Sequence, residues 1–412
     1  MEEIEIPQFF LCPISLQIMK DPVTTITGIT YDRESIEQWL RTSDQDSPAY
    51  CPITKQILPK DSDLTPNVML RRLIQAWCTT NAEYGIDRIP TPKSPLSKSY
   101  LYKLIRDIRV EGLCVGALKK LFELANENVK WNRRCMVEAG LIKVLVLLIV
   151  KCFKENKTNG IEQALKLLYL IWNPSAENKE IFAGNYEFVE ALTWVLRIEK
   201  IENHDVVRTH ALKILKMIGE VASSGLMSQL KPEFFGVVTR VLRGDHKLPQ
   251  QAIKAALHVL IKLCPWGNNR MKIIDSGAVF DLIELELRQP EKRTSELIFS
   301  LLAQLCSCAD GRAQLLMHRA GIAMVSKRLL RNTPATDESC MHIFGQITRF
   351  SATDEVLIEM LRVGAVSKLC MVLQANCEAH LKKNARDMLR MHSKVWSNSP
   401  CIQVYLLTRY NR

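Results

Sequence analysis

Two short Cys-Pro-Ile segments near the start of the chain carry residue types that could do chemistry, as metal ligands or as a nucleophilic thiol. They are Cys12-Pro13-Ile14 and Cys51-Pro52-Ile53. A structural zinc site needs four Cys or His ligands at short spacings. Up to Trp77 the chain has no other cysteine, and its first histidine is His204. Two thiols cannot close a tetrahedral site, so we expect neither a metal nor another cofactor here.

The thiol of Cys51 could instead act as a nucleophile. Such a cysteine needs a neighbouring base or cation to lower its pKa. No histidine is available in this part of the chain, and a Cys-Pro step at the start of a loop indicates a structural role. We therefore expect Cys51 to behave as a small buried hydrophobe rather than as a catalytic group.

The residues between and around these segments predict a hairpin followed by a helix. Stretches 21–26 and 29–31 are rich in β-branched residues and flank the turn signal Thr27-Gly28. Asp32 is a suitable N-cap for the helix that follows. That helix carries three apolar residues on one face: Ile36, Trp39 and Leu40.

A second helix is predicted after the second Cys-Pro-Ile segment. Asn67 is its expected N-cap. The helix carries one apolar stripe at helical spacing, formed by Leu70, Leu73, Ile74 and Trp77.

The order of loop, hairpin, helix, loop and helix, with its two Cys-Pro-Ile segments, resembles the U-box over residues 5–79. A U-box is a small α+β, RING-like domain without zinc. The resemblance implies an E3 ubiquitin ligase that binds a ubiquitin-conjugating enzyme (E2) charged with ubiquitin as a thioester. The catalytic cysteine then belongs to the E2, the ligase forms no covalent intermediate, and this chain contributes positioning.

The resemblance also implies an E2-binding groove between the two loops and the first helix, comprising Ile14, Leu16, Trp39, Pro52 and Ile53. A proline and a tryptophan suit this task because they offer rigid apolar contact area. Leu16 and Ile53 could equally be core residues of a small domain. RING-type ligases often place an arginine after the second loop to hydrogen-bond both E2 and ubiquitin. Lys55 stands at that place, and it lacks the planar fork of donors.

Hydrogen bonds and ion pairs must take over the role of the zinc in such a domain. Charged and polar residues near the predicted loop bases are candidates, although most charged residues simply face solvent. They are Asp21, Asp32, Arg33, Glu34, Lys55, Gln56 and Arg71.

A proline-rich linker is predicted at residues 80–96, and a repetitive helical region at 97–400. Five glycines, Gly140, Gly184, Gly277, Gly321 and Gly364, recur at steps of 44, 93, 44 and 43. The double step predicts one repeat that lacks its glycine, with Pro232 entering the helix there. A period near 44 lies in the armadillo/HEAT range, and phrases such as Asn173-Pro174-Ser175 resemble armadillo repeats. We expect about six repeats in an all-α solenoid.

The concave groove of this solenoid is the expected site for a protein substrate, and we expect the third helix of each repeat to line it. Seven basic residues recur on or after the helices that follow the turns: Lys143, Arg197, Arg240, Arg288, Lys327, Arg328 and Lys368. They could form a basic groove for acidic substrates or simply a solvated face.

Composition excludes several other classes. Lys plus Arg exceeds Asp plus Glu by 55 to 44, but the basic residues are scattered, so no nucleic-acid site is predicted. The most apolar stretch, residues 141–150, is too short to span a bilayer and predicts a buried helix. The thirteen cysteines lack a disulfide pattern and the acidic start does not suit a leader. A cytoplasmic protein, with a nuclear pool as an alternative, is expected.

The whole chain, mostly α with an N-terminal U-box, resembles the plant U-box/armadillo ligases. That resemblance implies ubiquitination of substrates in stress and immune signalling. U-boxes can pair, so a homodimer stays open. One alternative is a non-catalytic armadillo adaptor with a degenerate U-box, although retention of Ile14, Trp39 and Pro52 argues against decay. An importin-like carrier would leave the U-box unexplained. Neither the substrate nor the E2 can be identified from the sequence.

Overall fold

The computed structural model describes residues 6–42, 49–59, 64–82, 96–127, 129–198, 203–243, 248–397 and 399–404. The chain divides into two compact units, Met1–Pro95 and Leu96–Arg412. Most of the predicted linker, residues 83–95, lies outside the described residues, so its boundaries stay a prediction.

The first unit contains two small antiparallel sheets and two helices. Its elements are β1 (Pro22–Thr24), β2 (Thr30–Asp32), α1 (Arg33–Thr42), β3 (Ala49–Tyr50), β4 (Ile57–Leu58), β5 (Thr65–Pro66) and α2 (Val68–Thr80). The three-stranded sheet has the order β2-β1-β5, with Val23 paired to Tyr31 on one side and to Pro66 on the other. β3 pairs with β4. The predicted hairpin and both helices are therefore present.

The core of the first unit is small. It contains Phe10, Cys12, Met19, Val23, Tyr31, Ile36, Leu40, Ala49, Cys51, Leu58, Ile74 and Cys78. One part of the predicted stripe on α2 is wrong, because Leu73 is 54% exposed and Cys78 is buried in its place. The predicted N-cap of α2 is confirmed, since Asn67 Oδ1 accepts the backbone N–H of Leu70 at 3.1 Å.

The second unit is helical throughout the part that the structure describes. Its helices are α3 (Lys98–Asp107), α4 (Cys114–Glu127), α5 (Val129–Glu138), α6 (Leu141–Glu155), α7 (Ile161–Ile171), α8 (Ala176–Ala183), α9 (Tyr186–Arg197), α10 (His204–Val221), α11 (Ser224–Ser228), α12 (Pro232–Arg240), α13 (Gln250–Leu263), α14 (Asn269–Asp275), α15 (Ala278–Leu287), α16 (Lys292–Leu305), α17 (Ala309–Met317), α18 (Gly321–Arg328), α19 (Pro334–Phe350), α20 (Asp354–Arg362), α21 (Ala365–Gln374), α22 (Ala379–Met391) and α23 (Ser393–Trp396).

These helices follow a repeating order of a first, a second and a third helix. From α5 to α22 the described helices form six such triplets, and α12 begins at Pro232, as predicted for the repeat without a glycine. Gly140, Gly277 and Gly364 precede second helices at φ between 74° and 83°, a left-handed conformation that favours glycine. The turn glycines therefore lie at the start of the second helices, except for α12.

The third helices are α7, α10, α13, α16, α19 and α22, and they stack side by side in chain order. They are in closer contact along the stack than the second helices α6, α9, α12, α15, α18 and α21. A stack curves towards the side on which its elements lie closer together, so the third helices line the concave side.

The apolar stretch at residues 141–150 forms most of α6. Leu141, Ile142, Leu145 and Val146 are buried there, which confirms the predicted buried helix. Among the residues described, no helix has both the length and the apolar character needed to cross a membrane.

Candidate functional site

Loop one, residues 12–17, is a tight turn closed by its own backbone. The N–H of Cys12 donates to the carbonyl of Gln17 at 2.8 Å, and the N–H of Leu16 donates to the carbonyl of Cys12 at 2.8 Å. Leu16 has φ 56°, an unusual conformation for a residue with a side chain. The turn directs Leu16 outward, where it is 75% exposed.

Loop two, residues 51–56, repeats this geometry. The N–H of Cys51 donates to Gln56 O at 2.8 Å, the N–H of Lys55 donates to Cys51 O at 3.0 Å, and Lys55 has φ 58°. The loops share the pattern Cys-Pro-Ile-(Ser or Thr)-x-Gln-Ile at 12–18 and 51–57. The full seven-residue pattern, of which the Cys-Pro-Ile segments are only the start, places Leu16 and Lys55 at equivalent positions, and this equivalence was not predicted from the sequence.

Strand β2 ties both loops to the core through the two cysteine sulfurs. The backbone N–H of Asp32 donates to Cys12 Sγ at 3.3 Å. The hydroxyl of Tyr31 shares a hydrogen bond of 3.0 Å with Cys51 Sγ, and Thr27 Oγ1 donates to the same sulfur at 3.3 Å. Neighbouring residues of one strand thus hold the bases of both loops.

These hydrogen bonds favour the thiolate form of both cysteines. Burial raises the pKa of Cys51, but hydrogen bonds from the side chains of Thr27, Thr54 and Tyr31 outweigh it and lower the pKa to about 6. Burial also raises the pKa of Cys12, yet backbone hydrogen bonds lower it overall. Donor groups therefore surround these sulfurs where a zinc finger would have a cation.

Asp21 forms the ionic centre of the first unit. Its Oδ2 accepts from Arg33 Nε at 2.7 Å, and its Oδ1 accepts from Arg71 Nη1 at 3.3 Å. The three side chains are only 19–20% exposed, so solvent screens these pairs less than surface pairs. Asp21 thereby connects the start of α1 to α2.

Asp32 directly precedes the first residue of α1 and also binds backbone groups that follow loop one. Its Oδ1 accepts the backbone N–H groups of Lys20 at 2.8 Å and Asp21 at 3.0 Å, so it holds loop one against β2. Of the seven predicted zinc substitutes, four carry these contacts: Asp21, Asp32, Arg33 and Arg71. Gln56 and Lys55 contribute backbone groups to loop two. Glu34 lies exposed in the first turn of α1.

The five residues predicted to bind E2 lie on the elements that this network positions. Trp39 extends from α1 and donates its indole N–H to Tyr50 O at 2.9 Å, beside the start of loop two. Leu16, Ile53 and Trp39 are 75%, 51% and 39% exposed. Ile14 and Pro52 are half-buried, with Ile14 packed against the core. Leu16 and Ile53 are therefore surface residues, and the core interpretation of them is wrong.

Potential metal ligands do not converge in the structure. In the described segments, no three His, Cys, Asp or Glu side chains lie close enough together to hold a metal ion.

Cys51 is buried without exposed surface, so its sulfur cannot reach a thioester on another protein. We expect Cys51→Ser to retain discharge of a ubiquitin-loaded E2 within about twofold per folded molecule. The smaller hydroxyl weakens contacts to Thr27 and Tyr31, at a cost of about 1 kcal/mol in unfolding free energy. Single-turnover discharge together with thermal unfolding checks both parts. Complete loss of discharge by a folded variant would restore the nucleophile interpretation.

The seven basic residues predicted to line the groove require a correction. All lie on or directly after second helices, because the helix that follows each turn glycine is the second and not the third. Three of them tie neighbouring repeats together. Arg288 Nη2 donates to Arg243 O at 2.8 Å, Arg328 pairs with the buried Glu286, and Lys368 Nζ donates to Leu329 O at 3.1 Å. Four are exposed: Lys143, Arg197, Arg240 and Lys327.

Comparison with known proteins identifies both units. Residues 6–83 match the U-box domain, and residues 101–412 match the plant U-box protein ARM repeat region. The chain is 41% identical to E3 ubiquitin-protein ligase PUB24 of Arabidopsis thaliana, covering 99% of this chain and 96% of that protein. It is 42% identical to E3 ubiquitin-protein ligase PUB23 of the same plant, covering 99% and 98%.

A solved structure supports the solenoid fold alone. It comes from work on a phosphorylation switch in the interaction between cadherin and β-catenin, and matches with a TM-score of 0.57 and 13% identity over 78% of this chain and 57% of that one. The two family matches together span nearly the whole chain, in the order that the sequence predicted. The chain therefore belongs to the plant U-box proteins with armadillo repeats.

Proposed function

We propose that this chain is an E3 ubiquitin-protein ligase whose U-box binds a ubiquitin-loaded E2 and whose solenoid holds the substrate. The observation that supports ligase activity is similarity over the full length, at about 40% identity, to proteins named as E3 ubiquitin-protein ligases. The U-box implies an E2 partner, and the armadillo repeats imply recognition of a protein substrate. Transfer then proceeds directly from E2 to a substrate lysine.

The proposed E2 site is the surface formed by Ile14, Leu16, Trp39, Pro52 and Ile53, which we call the two-loop surface. Its support is the network described above: β2 fixes both loops through the cysteine sulfurs, and the indole of Trp39 is fixed by Tyr50 O. Apolar residues held exposed on a rigid frame bind a partner with little loss of conformational entropy.

Lys55 is the proposed contact to both E2 and ubiquitin. It lies exposed in loop two, in the left-handed conformation that ends the turn. We expect Lys55→Ala to slow discharge of loaded E2 by about tenfold or more, because a hydrogen bond to a charged group contributes about 1.5–3 kcal/mol. Lys55→Arg should equal or exceed the wild type, because guanidinium can donate to two acceptors in one plane. Unchanged discharge with Lys55→Ala would remove Lys55 from the site.

Autoubiquitination with E1, E2, ubiquitin and ATP tests the ligase function itself. We expect a ubiquitin ladder with the wild type, and its disappearance with Ile14→Ala or Pro52→Ala. Absence of a ladder across a broad set of E2 proteins would favour the adaptor alternative, in which the U-box no longer binds E2.

A homodimer is a further proposal for the U-box. Its support is an apolar patch distinct from the two-loop surface, formed by Ile26, Val68, Met69 and Leu73, which are 63%, 40%, 68% and 54% exposed. Exposed apolar side chains that lie together on a surface often mark a protein–protein interface. Analytical ultracentrifugation of the full chain measures its mass and so distinguishes a dimer from a monomer.

The biological setting stays a proposal as well. We propose a cytoplasmic protein, with a nuclear pool as the alternative, acting in plant stress and immune signalling. Its support is family membership, and imaging of the tagged protein in plant cells tests the location.

A further inference from the structure

The third helices that line the concave side carry a row of basic side chains at one repeated position. Three successive third helices contain the same local sequence: Ala164-Leu165-Lys166-Leu167-Leu168, Ala211-Leu212-Lys213-Ile214-Leu215 and Ala256-Leu257-His258-Val259-Leu260. In each, the four apolar residues are buried and the central basic residue is half-buried. Lys166, Lys213 and His258 therefore occupy equivalent positions on α7, α10 and α13. We call these three residues the basic row.

Contacts across the row show that these side chains lie between neighbouring third helices. Lys213 Nζ, on α10, lies 5.0 Å from the ring centroid of Tyr169 on α7, and it donates to Gln251 Oε1 on α13 at 2.8 Å. Both of these partners are neutral, so the positive charge of Lys213 is not cancelled by them. Lys166 is paired with Glu162 at 2.6 Å, within its own helix.

The charged groups around two histidines show which sign of charge predominates near the basic row. Burial lowers the pKa of His210, the hydrogen bond between its Nδ1 and Val206 O raises it, and Lys213 and Lys166 lower it against the smaller raising effect of Glu162. Burial likewise lowers the pKa of His258, and Lys216 and Arg293 lower it further, against Glu220. At His210 two cations face one carboxylate, whereas at His258 Arg293 is itself paired with Glu296, so Lys216 and Glu220 balance there.

Further charges on the flanking helices do not reverse this balance. Arg293 of α16 is paired with Glu296 at 2.8 Å, and Lys254 of α13 is paired with Glu291 at 2.7 Å. Each of these pairs is neutral as a unit. Lys213 therefore carries the uncompensated positive charge among these groups on the face formed by α7, α10 and α13, and the two histidines add positive charge to this face when they take up protons.

We propose that the basic row binds an extended acidic segment of the substrate, with Asp or Glu carboxylates on successive repeats. This inference rests on the proposed function, in which the solenoid selects the substrate. Packed helices lie about 8–10 Å apart. An extended chain advances about 3.3 Å per residue, so carboxylates about three residues apart match the spacing of the row. Tyr169 beside Lys213 offers an apolar surface to the intervening residues.

Carboxylates bound at the basic row would make peptide binding depend on pH, because they favour protonation of two nearby histidines. The pKa of His210 and of His258 is lowered in the free protein, and an anion beside either imidazole raises it by stabilising the charged form. Binding therefore takes up protons. The affinity for the acidic segment therefore increases as the pH falls from the histidine pKa values of the complex towards the lower values of the free protein. Peptide carboxylates, with ordinary pKa values near about 4.3, stay ionised over that interval.

Fluorescence anisotropy on the full chain tests the proposal. The probe is a labelled peptide with glutamate at every third position, and the comparison peptide has glutamine at those positions. We expect Lys213→Gln to weaken binding of the glutamate peptide by about fivefold or more, and the double variant His210→Gln/His258→Gln to remove most of its pH dependence. The matched controls are Lys143→Gln and Lys327→Gln, which remove the same charge from exposed positions on second helices. They should leave binding unchanged.

Three results would overturn the proposal: equal binding of both peptides, equal loss in the controls and in Lys213→Gln, or preferential displacement of the peptide by duplex DNA of equal charge. Discharge of loaded E2 onto free lysine, measured on the same variants, should be unaffected, since this reaction needs only the U-box. A wild type that fails this discharge would contradict the ligase function, whereas an intact discharge with no peptide selectivity would contradict the acidic-segment inference alone.

Discussion

Replacing Asp21 with asparagine is expected to loosen the whole U-box. The carboxylate of Asp21 holds Arg33 and Arg71 at 2.7 Å and 3.3 Å, and all three side chains are largely buried. Removing the charge leaves two guanidinium groups without their anion, and hydrogen bonds to charged groups contribute about 1.5–3 kcal/mol each. Asparagine keeps one oxygen acceptor, so one of the two contacts can persist in neutral form, and we expect a loss of about 2–3 kcal/mol. For a domain of this size, whose stability is roughly 4–11 kcal/mol, that is a large fraction.

Hydrogen–deuterium exchange on the full chain measures this effect where it occurs. Peptides from α1, β2 and α2 should exchange about thirtyfold to a hundredfold faster in Asp21→Asn, while peptides from α10 and α13 should not change. Glu37→Gln is the control, because it removes one charge from α1 but its contact to Arg33 is 3.9 Å long. Equal protection in Asp21→Asn and wild type would show that the ion pairs do not replace the zinc.

Ile53→Ala is expected to abolish most of the ligase activity without unfolding the U-box. Ile53 is 51% exposed in loop two, so the free domain loses little packing when its side chain is shortened. The contact with E2 loses the area that the side chain would bury. Burying an isoleucine is worth about 1.5–3 kcal/mol, which corresponds to about tenfold to a hundredfold in E2 binding.

The chain provides a matched control for this prediction. Ile358 is 58% exposed on α20, in the second unit. Ile358→Ala removes the same atoms and should leave single-turnover discharge of loaded E2 onto free lysine within about twofold of wild type. If both variants lose activity equally, or neither does, the two-loop surface is not the E2 site. Leu16, which is 75% exposed, offers an independent variant in loop one.

Local patterns were sufficient to predict the hairpin and both helices of the first unit and the helical repeats of the second, but not the short strands β3, β4 and β5. Helical spacing identified α2 and α6, and the turn glycines located the second helices. The same local patterns could not show which face of α2 is buried at Leu73, because only the packing of α2 on β1 decides it. They also could not separate second from third helices, since both carry the same 3.6-residue periodicity.

Partners that are distant in sequence account for the remaining differences. Asp32 Oδ1 binds the N–H groups of Lys20 and of Asp21, which lie eleven or more residues earlier and could not be inferred from the place of Asp32 before α1. Arg288 and Lys368 resembled groove residues, but their acceptors are carbonyls about one repeat earlier, at Arg243 and Leu329. The role of Cys51 as a hydrogen-bonded thiol depends on Tyr31 and Thr27 across the sheet. Only the fold brings these groups together.

The most direct test of the account is discharge of a ubiquitin-loaded E2 in the presence of a strong zinc chelator. The loaded E2 is prepared first, because loading requires magnesium and ATP, and the full chain is then added together with the chelator. The wild type should discharge the E2 at the same rate with and without chelator, and Ile53→Ala should be slow in both. A wild type that stops in chelator and recovers with added zinc would contradict a U-box held together by hydrogen bonds and ion pairs.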